Sequence, residues 1–228
     1  MNIQIYADGA DLNEMVKYTD IVSGFTTNPT LMRKCGIVDY EKFIKDVIER
    51  IPNLPISFEV FSDDLPEMER QARKLSTFSN NVYVKIPITN TYGLSTAQLI
   101  ERLLDDGIKV NITAVLAPQQ ITAILPFIDK RTNVILSIFA GRIADTGINP
   151  KPIIMGALAA APKNVKILWA SCREVYNIYE ADRIGCHIIT VPYDLIDKLQ
   201  LHNKNLSDYS LDTVKMFYTD AKNCGFNL

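Results

Sequence analysis

Eight short apolar runs, each followed by a segment of helical character, constrain this chain more than any other feature. They read as strands at Ile3 to Asp8, Gly24 to Asn28, Ile56 to Phe61, Val82 to Thr89, Val110 to Val115, Asn133 to Ala140, Val165 to Ser171 and Ile188 to Pro192. Each is rich in β-branched or aromatic residues and most are bounded by turn-forming ones. Between them the spacing turns helical, as at Tyr40, Phe43, Ile44, Val47 and Ile48 before Pro52, and at Leu99, Ile100, Leu103 and Leu104 before Gly107. Helix starts are marked by Asp11 with Glu14 three residues on, by Asp64 before Leu65-Pro66-Glu67, by Ser95 and by Pro118. Pro150 to Ala161 is a small-residue helix, and two more helical segments lie around Asp194 to Leu201 and Leu211 to Cys224.

Alternation of this kind implies a parallel sheet, and eight repeats within 228 residues predict a closed (β/α)8 barrel, the TIM-barrel architecture. The competing open, doubly wound sheet usually carries a glycine-rich phosphate turn after an early strand, and no GxGxxG or GxxxxGK[ST] is present. No linker or composition break divides the chain. It therefore reads as one α/β domain over residues 1–228, with residues about 205–228 forming a C-terminal helical extension in excess of the barrel's count.

A hydrophobic content of 47% can build a full core, and 22% charged residues with a net charge of −2 exclude a disordered chain. The near-neutral balance gives no footprint for nucleic acid or an anionic membrane. The N-terminus lacks the basic and apolar regions of a signal peptide, and no apolar stretch approaches spanning length, so a cytoplasmic location is expected. Cys35, Cys172, Cys186 and Cys224 have neither metal-site nor redox-motif spacing, and His187 and His202 are too few to build a zinc site.

One lysine interrupts the apolar run from Val82 to Thr89. Burying an ammonium is costly unless it is paired or loses its charge. Lys85 is thus either an edge-strand residue reaching back to water or a desolvated amine able to form a Schiff base with a carbonyl. The other strands bear on the choice. Near their C-terminal ends stand Asp8, Asn28, Glu59, Thr113, Ser137 and Ser171, with Arg142 and Arg173 just beyond. A lone buried Asp or Thr is usually structural. Seven polar residues at the same end of seven strands, Lys85 included, are hard to explain as core packing, and barrels place their chemistry at that end. Asp8, Glu59 and Lys85 make a charged cluster able to move protons. Arg142, Ser171 and Arg173 come from late strands, where barrels commonly bind phosphate. A phosphorylated substrate with its carbonyl aimed at Lys85 fits this set, and no metal or organic cofactor is required.

In these residues the chain resembles the transaldolase family, in particular its short, bacterial-type members. The resemblance runs from about Ile5 to Leu199. Its early segments are Tyr6-Ala7-Asp8, Gly24-Phe25-Thr26-Thr27-Asn28-Pro29-Thr30, Ser57-Phe58-Glu59-Val60 and Val84-Lys85-Ile86-Pro87. The later ones are Asn111-Ile112-Thr113, Ser137-Ile138-Phe139-Ala140-Gly141-Arg142-Ile143 and Ala170-Ser171-Cys172-Arg173. The threonine pair before Asn28-Pro29 and the lysine strand, in this order and spacing, are the specific part.

The resemblance implies a class I aldolase mechanism without cofactor or metal. Lys85 would attack a ketose carbonyl, with Glu59 and Thr113 moving protons through a water. Asp8 would take the C4 hydroxyl proton as the C3–C4 bond breaks. Asn28 and Ser137 would hold the dihydroxyacetone unit, and Arg142, Ser171 and Arg173 the phosphate. Fructose-6-phosphate aldolases of the same family carry Gln, Tyr and Ala where this chain has Glu59, Phe139 and Ser137, which favours a transferase over a lyase. A lyase releasing dihydroxyacetone and a non-catalytic sugar-phosphate-binding barrel are the alternatives. Departures from the family pattern are Gly9 in place of a Ser or Thr, Cys172 in place of an apolar residue, Tyr92 in the loop after the lysine strand, and a poor match beyond Leu199. The resemblance also implies a ring-shaped homo-oligomer held through the C-terminal helix, whose Leu211, Val214, Met216, Phe217 and Tyr218 supply apolar surface.

Overall fold

A computed structural model describes residues 1–129 and 132–225. The first half of the barrel is β1 (Gln4–Asp8), α1 (Leu12–Lys17), β2 (Gly24–Thr26), α2 (Pro29–Lys34), α3 (Tyr40–Arg50), β3 (Ile56–Glu59), α4 (Leu65–Ser76) and β4 (Val82–Pro87). There follow α5 (Ala97–Asp105), β5 (Val110–Val115), α6 (Pro118–Ile128), β6 (Val134–Ile138), α7 (Ala140–Asp145), α8 (Lys151–Ala160), β7 (Val165–Trp169), α9 (Tyr176–Arg183), β8 (Ile188–Val191) and α10 (Tyr193–Asp197). A 3-10 turn at Lys198–Leu201 and α11 (Leu206–Cys224) complete the described chain.

Each strand pairs in parallel with the next, and β8 closes on β1. This is the (β/α)8 barrel that the alternation predicts. Closure removes every sheet edge, so the reading of Lys85 as an edge residue falls. Its strand is hydrogen-bonded on both sides, to β3 and β5. Strands sandwiched between an inner core and outer helices need apolar side chains on both faces. That is why β4, β5 and β6 read as continuous runs rather than alternating ones. Tyr6, Ile135, Leu168 and Ile188 pack as one buried cluster, with Tyr83 against it.

Helix starts follow the sequence signals. The carboxylates of Asp11, Asp39 and Asp64 accept backbone N–H groups at the first turns of α1, α3 and α4. At α5 the cap position is Thr96 rather than Ser95, although the Ser95 hydroxyl does accept the Ala97 amide at 3.2 Å. Seven of the eight strands are shorter than the sequence suggests, all but β5, and at β2 and β6 the reason is the start of a helix. Asn28 has left β2 and caps α2 through the Leu31 amide, because Pro29 has no N–H to give a sheet and a φ already suited to a first helical turn. Ala140 likewise opens α7 instead of ending β6.

The contacts divide the chain into two compact units, Met1–Ile196 and Asp197–Leu228. The first is the barrel. In the second, Asn205 caps α11 by accepting the Ser207 and Asp208 amides, and Lys204 pairs with Asp212 at 2.7 Å. No described helix is long and apolar enough to cross a membrane.

Candidate active site

Parallel register brings the candidate residues to one end of the barrel. Asp8 lies beside Thr26, Glu59 beside Lys85, and Lys85 beside Asn111. Asn28 and Ser171 stand just past the ends of β2 and β7, at the same mouth. A cavity of about 130 Å3 opens there. Seven of the expected residues line it: Asp8, Asn28, Lys85, Ser137, Phe139, Arg142 and Ser171. Thr26 and Ala170, both within the family-like segments, and Thr190, outside them, line it as well. Glu59, Thr113 and Arg173 stand outside its lining, and Glu59 is linked to it by its ion pair with Lys85.

Lys85 is buried, 6% exposed, and its neighbours Val84 and Ile86, fully buried, fall on the other face of the strand by its alternation. Its Nζ donates to the Thr27 carbonyl at 3.0 Å and sits 3.3 Å from Glu59 Oε2. A buried charge is tolerable only with such partners. The Glu59 backbone is in turn fixed by the Tyr40 hydroxyl, which donates to its carbonyl at 2.9 Å.

Asp8 is held by a hydroxyl relay. The Thr26 hydroxyl donates to Asp8 Oδ1 at 2.8 Å and lies 2.5 Å from the Thr190 hydroxyl. Thr26 has one hydroxyl proton, so when that proton goes to Asp8, Thr190 donates to Thr26. Burial pushes the Asp8 carboxyl above the usual range, against the opposing pull of Lys85 and the Thr26 hydrogen bond. Gly9, where the family pattern has a Ser or Thr, is covered by the Tyr193 ring, whose Cζ lies 2.6 Å from where a Cβ would stand. Tyr193 stacks on Tyr18 with centroids 4.8 Å apart. Any larger residue at position 9 would displace this pair.

On the opposite wall, the Ser137 hydroxyl donates to Asn111 Oδ1 at 2.7 Å, and Asn111 Nδ2 donates to Ser57 Oγ at 2.9 Å. With its proton engaged, Ser137 offers lone pairs to the cavity. Asn28 is complementary, because Oδ1 caps α2 and the amide NH2 remains to donate. The mouth thus presents both donors and acceptors, as a hydroxyl-rich ligand requires.

Thr113 is 2% exposed, and its hydroxyl has no hydrogen-bond partner among the described residues. A bulge explains its placement. The β5–β6 register shifts between Ile112 and Val115, and Ala114 takes a left-handed φ of 61°.

The arginine corner is built by close approach. Gly141, in the first turn of α7, lies so near the Ser171 carbonyl that a Cβ there would overlap it. Ser171 itself adopts φ 64°, a conformation a serine pays to hold. Arg142 exposes its guanidinium 5.9 Å from the Phe139 ring centroid. Arg173 Nη2 pairs with Asp145 Oδ2 at 2.5 Å. Cys172 is buried between these groups, and burial pushes its thiol up to about 12, which leaves it a packing residue rather than a nucleophile.

These features define a (β/α)8 barrel with a lysine-centred polar site at its mouth, the location of chemistry in this fold. The model of the family described as Transaldolase/Fructose-6-phosphate aldolase matches residues 5–228, so the chain belongs to that family. The match extends past Leu199, where the motif resemblance stops. A protein named "Probable transaldolase" from Clostridium botulinum (strain Hall) is 32% identical over 228 residues, covering 96% of this chain and 98% of its own. Another of that name from Thermoanaerobacter sp. (strain X514) is 31% identical, covering 93% of this chain and 95% of its own. Among solved structures, the orotidine 5'-phosphate decarboxylase of Pyrococcus horikoshii OT3 superposes with a TM-score of 0.57 at 16% identity, covering 85% of this chain and 90% of that one. At that identity the likeness is one of fold.

Proposed function

We propose that this protein is a transaldolase, moving a dihydroxyacetone unit from sedoheptulose 7-phosphate to glyceraldehyde 3-phosphate to give erythrose 4-phosphate and fructose 6-phosphate. The observation that carries the reading is Lys85, buried beside a carboxylate at the cavity while a second carboxylate, Asp8, lines the same cavity. The Lys85 amine adds to the ketose carbonyl carbon and the carbonyl oxygen takes up a proton. Loss of water gives the iminium, with Glu59 and Thr113 handling protons. Thr113 suits this role because its buried hydroxyl has no hydrogen-bond partner among the described residues and can hold a water. The Asp8 carboxylate accepts the C4 hydroxyl proton, the C3–C4 bond breaks, and its electrons pass to the iminium nitrogen. Erythrose 4-phosphate leaves. The enamine carbon then attacks the aldehyde of glyceraldehyde 3-phosphate, Asp8 returns the proton, and hydrolysis frees fructose 6-phosphate.

Asn28 as donor and Ser137 as acceptor hold the three-carbon unit by its hydroxyls. Arg142, Ser171 and Arg173 receive the phosphate. Glu59, Phe139 and Ser137 support transfer over simple release. The chain works as a homo-oligomeric ring joined through α11, a reading supported by that helix's exposed Leu211, Val214, Phe217 and Tyr218.

The test is borohydride reduction in the presence of fructose 6-phosphate. One peptide, that of Lys85, should be tagged, and Lys85→Arg should be inert because a guanidinium stays protonated. A tag elsewhere, or none, removes the mechanism. A product assay with and without an acceptor aldose separates transferase from lyase.

A further inference from the structure

Arg173 does not point where a simple phosphate clamp would have it. Arg142 and Ser171 line the cavity, but Arg173 does not. Its side chain instead runs across the first turn of α7, with Nε 2.9 Å from the position of a Cβ on Gly141, and ends on the carboxylate of Asp145. Its backbone is fixed separately, by an amide that donates to Asn177 Oδ1 at 3.0 Å. The loop therefore stays in place whether or not the guanidinium moves. Asp145 lies three residues after Arg142 on the same helix, so one carboxylate sits within a corner that holds two arginines. Both members of the pair are about half exposed, 53% and 56% for the side chains.

Resting on the reading that this corner receives a phosphate, we propose that Asp145 is an exchange partner that tunes the site's affinity for phosphate. It holds Arg173 in the empty site and gives it up to a phosphate group. An exposed ion pair is held weakly, so release costs little. A phosphate dianion brings about twice the charge of a carboxylate, and its oxygens suit the arginine fork. It wins the exchange, whereas a neutral hydroxyl does not. Asp145 thereby lowers affinity for phosphate-bearing ligands, which must displace it, and costs unphosphorylated sugars nothing, since they leave the pair intact. The Gly141 position makes the exchange possible, because a side chain there would block the path that the guanidinium takes.

The test is titration of the full-length protein with inorganic phosphate, followed by 31P NMR, for wild type, Asp145→Asn, Arg173→Ala and the double variant. Removing the exchange partner should tighten phosphate binding about two- to fivefold, the range expected for loss of an exposed pair. Arg173→Ala should weaken binding, and Asp145→Asn should then have no further effect. Asp145→Ser serves as the second variant should the amide find a new partner. The proposal is overturned if Asp145→Asn binds phosphate no tighter than wild type. It is also overturned if the gain persists without Arg173, since Asp145 would then act as bulk charge. Absence of any phosphate binding sensitive to Arg142→Ala would instead remove the phosphate reading itself. The titration does not depend on Lys85 chemistry, so the failures remain distinct.

Discussion

At the scale of single residues, Asp8 combines a function and a cost. Its carboxyl is raised by burial, so between the ordinary carboxylate range and the raised value the folded state holds a proton that the unfolded chain has already lost. Stability therefore falls as pH rises from the ordinary carboxylate range through the raised value. Asp8→Asn carries no such cost. It should melt higher than wild type near neutrality, with the difference shrinking in acid, while kcat drops about a hundred- to ten-thousand-fold for loss of a general base. Thermal melts and turnover measured on the same samples across pH check both halves. A variant that loses activity without gaining stability would assign Asp8 a structural role. Asp8 itself was legible in the sequence because a carboxylate at the end of an apolar strand is an exception. Its supports were not. Thr26 and Thr190 are ordinary strand residues by composition; only the β1–β2 register puts Thr26 beside Asp8, and Thr190 joins the group through the Thr26 hydroxyl. Asn111 was hidden in the same way, inside a segment notable for Thr113. Arg173 was legible as a charge, but its partner lies 28 residues earlier and nothing local pairs them.

At the scale of elements, the approach of α7 to the β7 loop should govern phosphate affinity. Gly141→Ala forces the Ser171 carbonyl and the Arg173 stem outward. Overpacking of this kind typically costs about 1–3 kcal/mol, or a melting shift of roughly 2–4 °C per kcal/mol in a chain this size. The functional signature should be a raised KM for phosphorylated ketoses with kcat largely kept, because Lys85 and Asp8 lie on other strands. Steady-state kinetics with fructose 6-phosphate and with unphosphorylated dihydroxyacetone would show it, and equal losses on both would contradict it. Strands buried on both faces announced themselves as apolar runs, and the longer helices by their period and caps. The short helices α2 and α7 did not, since six residues are less than two turns and show no periodicity. The cap of α2, Asn28, and the first residue of α7, Ala140, read as ends of the preceding strands. The β5 bulge is equally silent, because Ala114 carries no sign of its left-handed φ.

At the scale of the whole molecule, the C-terminal unit sets the remaining question. The eight strands and their helices are complete by Asp197, so barrel closure does not call on α11. Along α11, Leu211, Val214, Phe217 and Tyr218 recur at helical spacing and remain between 53% and 63% exposed. An apolar stripe of this kind marks an association surface more often than a solvated face. Another side of the helix carries Asp208, Asp212 and Lys215. A chain ending near Asn205 should therefore keep its circular dichroism and its Lys85 trapping, yet fall to a smaller species by light scattering. Leu211→Glu with Phe217→Glu should do the same without shortening the chain. If the truncated chain kept the full-length assembly, or unfolded, α11 would belong to its own barrel and the ring would need another joint.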